Sequence, residues 1–214
     1  MKKLLSLFLL LSCLLGPVSA EDGSRLWLRQ STDAHAQITA PRQSPTLNIA
    51  VRELKQAWKG LPVTLVLKKD KQLSSEGFRI RQVNGKLTVT SPSETGLLYA
   101  AYHLIRLQEM QNFGKPSETD QEITENPAYD LRILNHWDNL DRSIERGYAG
   151  KSLWNWEELP GTLSDRYEAY ARANASIGIN ATVLNNVNAS SKILLNTPGI
   201  LPRFVAMINK VIAK

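Results

Sequence analysis

Cysteine is nearly absent. The 214-residue sequence holds one, Cys13, inside its first twenty residues. Beyond that point neither a disulfide nor thiol chemistry is available, so the folded part must gain its stability from a packed core. Histidine is scarce as well. His35, His103 and His136 show no metal-ligand spacing, and without a later cysteine a structural zinc site has no support. No long block of basic residues occurs, and the net charge of +6 includes Lys2 and Lys3, so nucleic acid is not an expected partner. The one long apolar run, Leu4 to Leu15, is too short to span a bilayer comfortably.

That run instead reads as the core of a secretory signal. Lys2 and Lys3 form its positive start, Gly16 and Pro17 break it, and Val18-Ser19-Ala20 places small residues before a cut at Glu21. The expectation is a signal over residues 1–20 and a secreted or periplasmic protein with no membrane attachment after its removal. Lipid attachment at Cys13 is the weaker alternative, because Leu11 is bulky for that position and apolar residues continue past it.

The remainder has the composition of a globular protein, 43% hydrophobic and 21% charged. Arg25 to Arg29 alternates and reads as a strand. After Pro41 and Pro45, Thr46 is placed to cap a helix to about Lys59, with Leu47, Val51, Leu54 and Trp58 on one face. Gly60 and Pro62 end it. Val63 to Leu67 is a second strand. Phe78 to Val83 and Lys86 to Thr90 alternate cleanly on either side of Asn84-Gly85, the strongest local hairpin signal. Ser93 then caps a helix carrying Leu97, Leu98, Ala101, Leu104, Ile105 and Met110. The order is β-α-β-β-β-α. Trp27 and Trp58 belong to its core. Residues 111–127 are polar, contain Gly114, Pro116 and Pro127, and read as a linker or long surface loop.

From Tyr129 the pattern changes. Leu131 to Leu134 reads as a buried strand that ends in polar and aromatic residues. A loop over 139–162 follows, then a helix from the Ser164 cap to about Ile177 with Tyr167, Tyr170, Ala171 and Ala175 on one side, closed by Gly178. Ile179 to Leu184 is the next strand, also ending in a polar cluster, and Leu201 to Ile212 a further helix. Two strands that each end in polar residues, with a helix between them, describe the opening of a (β/α) barrel, whose binding sites lie at the C-terminal ends of its strands. The expected fold class is α/β: an N-terminal α/β accessory domain over 21–125, then the first two β/α units of a TIM (β/α)8 barrel over 126–214.

Alternation along a strand puts Ile133, Asn135 and Trp137 on one side. In the second strand Val183, Asn185 and Val187 share a parity, opposite Asn186 and Asn188. Tryptophan, asparagine and histidine suit a sugar: an indole stacks on the C–H face of a pyranose, while amide and imidazole groups bond its hydroxyls. Residue types alone imply a polar pocket of carbohydrate size and no more.

The stretches ILNHWDNLDRSIERGYAGKSLWNWEELP and INATVLNNVNA resemble the start of the catalytic domain of family-67 glycoside hydrolases, the α-glucuronidases. TVTSPSETGLLYAAYHLIRLQ is similar to the N-terminal domain of that family. The resemblance implies enzymes that remove 4-O-methyl-glucuronic acid from xylo-oligosaccharides by inverting hydrolysis, between one carboxylic acid and one carboxylate, with no metal or organic cofactor. It implies that Trp137 and Val187 wall the glucuronate pocket, with Asn135, His136, Asn185 and Asn186 as adjacent candidates carried by position. It places the family's catalytic carboxylates and its carboxylate-gripping basic residues on later strands, beyond Lys214. These 214 residues are therefore expected to hold no catalytic residue and to be inactive by themselves. The implied partner is a glucuronoxylan-derived oligosaccharide, and the full-length form is expected to be a homodimer.

Plainer readings stand beside these. His136 is expected to be a structural hydrogen-bonding group under the loop. Asp138, Asp141, Glu145, Glu157 and Glu158 are expected to pair with Arg142, Arg146 and Lys151 or to face solvent. Trp154 and Trp156 are expected to pack the loop. The alternative function is a non-enzymatic carbohydrate-binding or interaction module built on residues 21–125.

Overall fold

The computed structural model describes residues 27–28, 36–111, 120–139, 141–144, 150–155, 158 and 164–183. The expected signal, the end of the second polar strand and the helix over 201–212 lie outside them. The fold is α/β.

The first body is a mixed five-stranded sheet under two helices. Its strands are β1 (Ile38–Thr39), β2 (Val63–Leu67), β3 (Phe78–Val83), β4 (Lys86–Ser91) and β5 (Gln121–Glu125), in the order β1-β2-β4-β3-β5. β1, β2 and β4 run parallel, and β3 is antiparallel to both β4 and β5. Alternation sets the two faces. Val63, Leu65, Phe78, Ile80, Leu87 and Val89 are buried, and Ile80 pairs with Val89, which pairs with Leu65. Helices α1 (Pro45–Ala57) and α2 (Glu94–Gln111) complete the core with Leu47, Ala50, Leu54, Trp58, Leu97, Ala101, Leu104 and Ile105. Trp58 is fully buried and Trp27 packs against this core, as the sequence implied.

Ser44, not Thr46, caps α1. Its hydroxyl accepts from the Leu47 amide at 3.2 Å, and Pro45 takes the first helical position, where no amide hydrogen is needed. The same hydroxyl donates to Glu94 at 2.6 Å, with Arg42 on the other carboxylate oxygen, so the starts of both helices are tied together. These bonds hold the Glu94 carboxyl below its usual range. Ser93 caps α2 as expected, accepting from the Gly96 amide at 3.0 Å. Asn84 and Gly85 both take positive φ, +49° and +70°, and make the turn of the β3–β4 hairpin.

Three expectations for the chain's organisation are corrected. Within 111–127, residues 121–125 form an edge strand rather than loop. Only Ile123 is apolar there, and the register is fixed by polar partners on the open face: Arg81 to Glu122 at 2.9 Å and Arg79 to Thr124 at 3.2 Å. The strand expected at residues 25–29 is not present at Trp27 and Leu28, and the first strand among the described residues is Ile38–Thr39. The strand expected to be buried at Leu131–Leu134 is β6 (Ile133–Asn135), and Leu131, Ile133 and Leu134 are exposed. A parallel strand is buried only when both faces are covered. Among the described residues β6 has a single neighbouring strand, β7 (Ala181–Val183), which it pairs in parallel.

Between β6 and β7 runs α3 (Asp165–Ser176), capped by Ser164 as expected. Its C-terminal turn is closed by Gly178 at φ +77°, a conformation that a Cβ disfavours. Arg172 of α3 donates two bonds of 2.8 Å to the buried Glu53 of α1. Arg132 ties the approach to β6 by bonding Glu76 and the Gly178 carbonyl, and its guanidinium lies over the Tyr99 ring.

Candidate functional site at the end of strand β6

The site is built where β6 runs out. His136 extends the ladder by one bond, its amide donating to the Val183 carbonyl at 3.0 Å. Its ring then turns to α3. Nε2 lies 2.6 Å from the Tyr170 hydroxyl, which lies 3.0 Å from the Thr182 hydroxyl on β7. Asp138 turns the same way. It is 5% exposed, accepts from the Ser152 hydroxyl at 2.5 Å, and has Oδ2 3.7 Å from His136 Nδ1. The Ser152 oxygen in turn accepts from the Trp154 amide at 2.9 Å.

An aromatic box surrounds these groups. Trp154 is buried, stacks on Tyr167 at 5.4 Å, and meets Tyr170 and His136 edge-on at 5.3 and 5.5 Å. Burial pushes the Tyr167 hydroxyl up, so it stays protonated, and it accepts from the Asn155 amide at 3.0 Å. The loop is thereby fastened to α3. Asp138 and Ile144 form an isolated bridge, and Arg142 at φ +72° makes the tight turn between them.

Against this anchored background Trp137 stands out. Both of its neighbours are packed, yet it is 46% exposed. Asn135, two residues earlier on the strand, is also exposed. An exposed indole beside an amide, at the C-terminal end of a parallel strand, offers the apolar platform and polar edge that a sugar ring requires. Of the sequence candidates, Asn135, His136 and Trp137 come together here. Asn185, Asn186 and Val187 lie outside the described residues. Among the described residues Asp138 pairs with no loop arginine or lysine; its partners there are Ser152 and His136. Asp141 accepts from Ser143, whose amide and hydroxyl hold its carboxyl low, and Glu158 accepts from Asn155 at 2.8 Å. Glu145, Glu157, Arg146 and Trp156 lie outside the described residues. The sequence reading missed Tyr170 and Ser152. Helical periodicity places Tyr170 on a helix face only, and nothing in the spacing pairs it with a histidine 34 positions away.

A separate apolar groove of about 170 Å3 lies between α1, α2 and α3, lined by Ile49, Leu98, Tyr102 and Ala171, and does not reach Trp137. Among the described residues no group of three or more His, Cys, Asp or Glu could hold a metal ion.

Comparison with known proteins decides the family. Residues 112–212 match the glycosyl hydrolase family 67 middle domain. The chain belongs to glycosyl hydrolase family 67. It is 33% identical over 224 aligned positions to alpha-glucuronidase A of Aspergillus tubingensis, covering 87% of this chain and 26% of that one. Alpha-glucuronidase A of Emericella nidulans is 30% identical, with 87% and 27% covered. The chain thus spans about a quarter of the length of the curated relatives it matches. Among solved structures, a GH138 enzyme targeting pectin rhamnogalacturonan II superposes with a TM-score of 0.54 at 14% identity, covering 83% of this chain and 23% of that one. At that identity the likeness is one of fold.

Proposed function

We propose that this chain is the entry portion of an α-glucuronidase, and that the end of β6 supplies one wall of its sugar pocket. The substrate class is an oligosaccharide from glucuronoxylan carrying 4-O-methyl-glucuronic acid, released by inverting hydrolysis. The observation that carries the reading is Trp137, exposed between two packed neighbours at the C-terminal end of a parallel strand, in a chain of family 67. The β6-α3-β7 unit supports reading 126–214 as the start of a (β/α)8 barrel, with 21–125 as an accessory domain. Asn135 and His136 flank the platform, and Val187, Asn185 and Asn186 are assigned to the matching end of the second strand. The pocket wall binds and orients; the acid and base come from residues other than these. A signal over residues 1–20 and a secreted or periplasmic location belong to the same reading.

A hybrid tests it. Residues 21–214 replace the corresponding stretch of the Aspergillus tubingensis alpha-glucuronidase A. The hybrid is expected to release 4-O-methyl-glucuronic acid, first as the β-anomer. Trp137→Ala is expected to reduce kcat/KM at least about tenfold, the equivalent of 1.4 kcal/mol. A folded hybrid with no turnover, or one indifferent to Trp137→Ala, contradicts the reading.

A further inference from the structure

We propose that His136 is the positioning residue of the Trp137 indole: it sets the direction in which that indole is presented, and through it the shape of the sugar-facing wall. The consequence for sugar binding rests on the function proposed above; the positioning itself does not.

Trp137 is held in place by what flanks it on the chain. The ladder between β6 and β7 ends at Asn135 opposite Val183, and one further backbone bond, from the His136 amide to Val183, closes it. Among the described residues the next backbone pairing after it is the Asp138–Ile144 bridge, so the direction of Trp137 between the two draws on the side chains on either side. On the near side is His136. Its ring is enclosed by Tyr170 and Trp154, both 5.5 Å away edge-on, and its Nε2 meets the Tyr170 hydroxyl at 2.6 Å. Tyr170 lies on α3, and its hydroxyl also meets Thr182 on β7 at 3.0 Å. The imidazole therefore joins the end of β6 to the helix, and through the Tyr170 hydroxyl to the neighbouring strand. On the far side is Asp138, buried and bonded to Ser152, with its other near group the His136 ring.

The two anchors are two residues apart and turn to the same side, towards α3 and the loop. The residue between them is left facing away from that side, which explains why the indole remains 46% exposed between two packed neighbours. A large aromatic presented to solvent loses its direction unless its backbone is fixed on both sides. Preorganisation of this kind lowers the ordering cost when a ligand stacks. His136 is the more consequential anchor because its ring bonds the helix at Tyr170 and packs against Trp154 of the loop, whereas Asp138 contacts the loop and His136 itself.

The test is fluorine NMR of the full chain labelled with 5-fluorotryptophan, without sugar. The sequence has five tryptophans, and Trp137→Phe assigns the line in question. The wild type is expected to give one narrow Trp137 line. His136→Ala should shift and broaden it while the Trp58 line, in the core of the first sheet, stays in place. His136→Gln, whose amide can still bond the Tyr170 hydroxyl, should restore part of the narrow line. Tyr170→Phe removes only the hydroxyl, so it reads the same link if His136→Ala fails to fold; it should move the Trp137 line in the same direction. A histidine that served stability alone would lower the melting temperature and leave the Trp137 line of the folded protein unmoved. That outcome, in His136→Ala or in Tyr170→Phe, overturns the proposal. Because no sugar is present, this result is independent of whether the pocket binds one.

Discussion

His103 shows how a single buried ring makes stability depend on pH. It lies in α2 with its ring 5.4 Å from Phe78 and its Nδ1 3.3 Å from the Arg106 guanidinium. Burial first, then the Arg106 charge, hold its pKa below the ordinary value, while Glu125 acts weakly the other way. Glu76, Tyr99 and Arg132 line the same cavity. A histidine whose folded pKa lies below its unfolded value gives its full stabilisation above about pH 6.5. That stabilisation is lost as pH falls further, because the unfolded chain takes up a proton that the folded one refuses. Between pH 7 and 5 the melting temperature should fall, and His103→Gln should flatten the fall. Glu94 and Asp70, whose carboxyls are held low by their hydrogen bonds, titrate at lower pH and leave that window clear. An unchanged slope in His103→Gln would assign the dependence to another group.

At the scale of elements the β3–β4 hairpin is set by its turn. Gly85 takes φ +70° with open space where a Cβ would stand, so Gly85→Ala costs backbone strain and no clash. The expected loss is about 1 kcal/mol in urea denaturation, with the m-value unchanged; no loss would mean that the turn relaxes to another type. This hairpin was legible because alternation and Asn-Gly are local signals. So were β2, α2 and α3, whose caps and periodicity lie within one turn of each boundary. β5 was not legible. Its stabilisation comes from Arg79 and Arg81 about forty residues earlier, and a strand with one apolar residue looks like loop until its partners are known. The α1 cap shifted by two residues because Ser44 is recruited by Glu94, fifty positions away. At the site, Trp137 and Asn135 were legible as the polar end of a strand. Tyr170, Ser152 and the burial of Asp138 were not, since they arise where a helix returns against the strand end.

At the scale of the whole molecule, ion pairs tie the five-stranded sheet and its helices to the β6-α3-β7 unit, among them Arg52 with Glu168 at 3.7 Å. Arg132 bonds Glu76, and Arg172 bonds Glu53, which is 1% exposed. Removing Arg172 leaves the buried Glu53 carboxylate without its two hydrogen bonds, with only Arg52 at 3.9 Å as counter-charge. Arg172→Ala should therefore cost about 3 kcal/mol, well above an exposed pair, read from the urea midpoint. A cost below about 1 kcal/mol would mean that water reaches Glu53 in the variant and that its charge is not left buried.

The central claim is that the end of β6 faces a glucuronic-acid-bearing sugar. The most direct measurement is a titration of the 5-fluorotryptophan-labelled chain with a xylo-oligosaccharide carrying 4-O-methyl-glucuronic acid, with unsubstituted xylo-oligosaccharide as control. The account predicts that the Trp137 line moves with the acidic sugar, while the Trp27 and Trp58 lines of the first body stay fixed, and that Trp137→Phe abolishes the response. Movement of Trp27 or Trp58 instead, with Trp137 silent, would contradict it and favour a carbohydrate-binding module built on the five-stranded sheet.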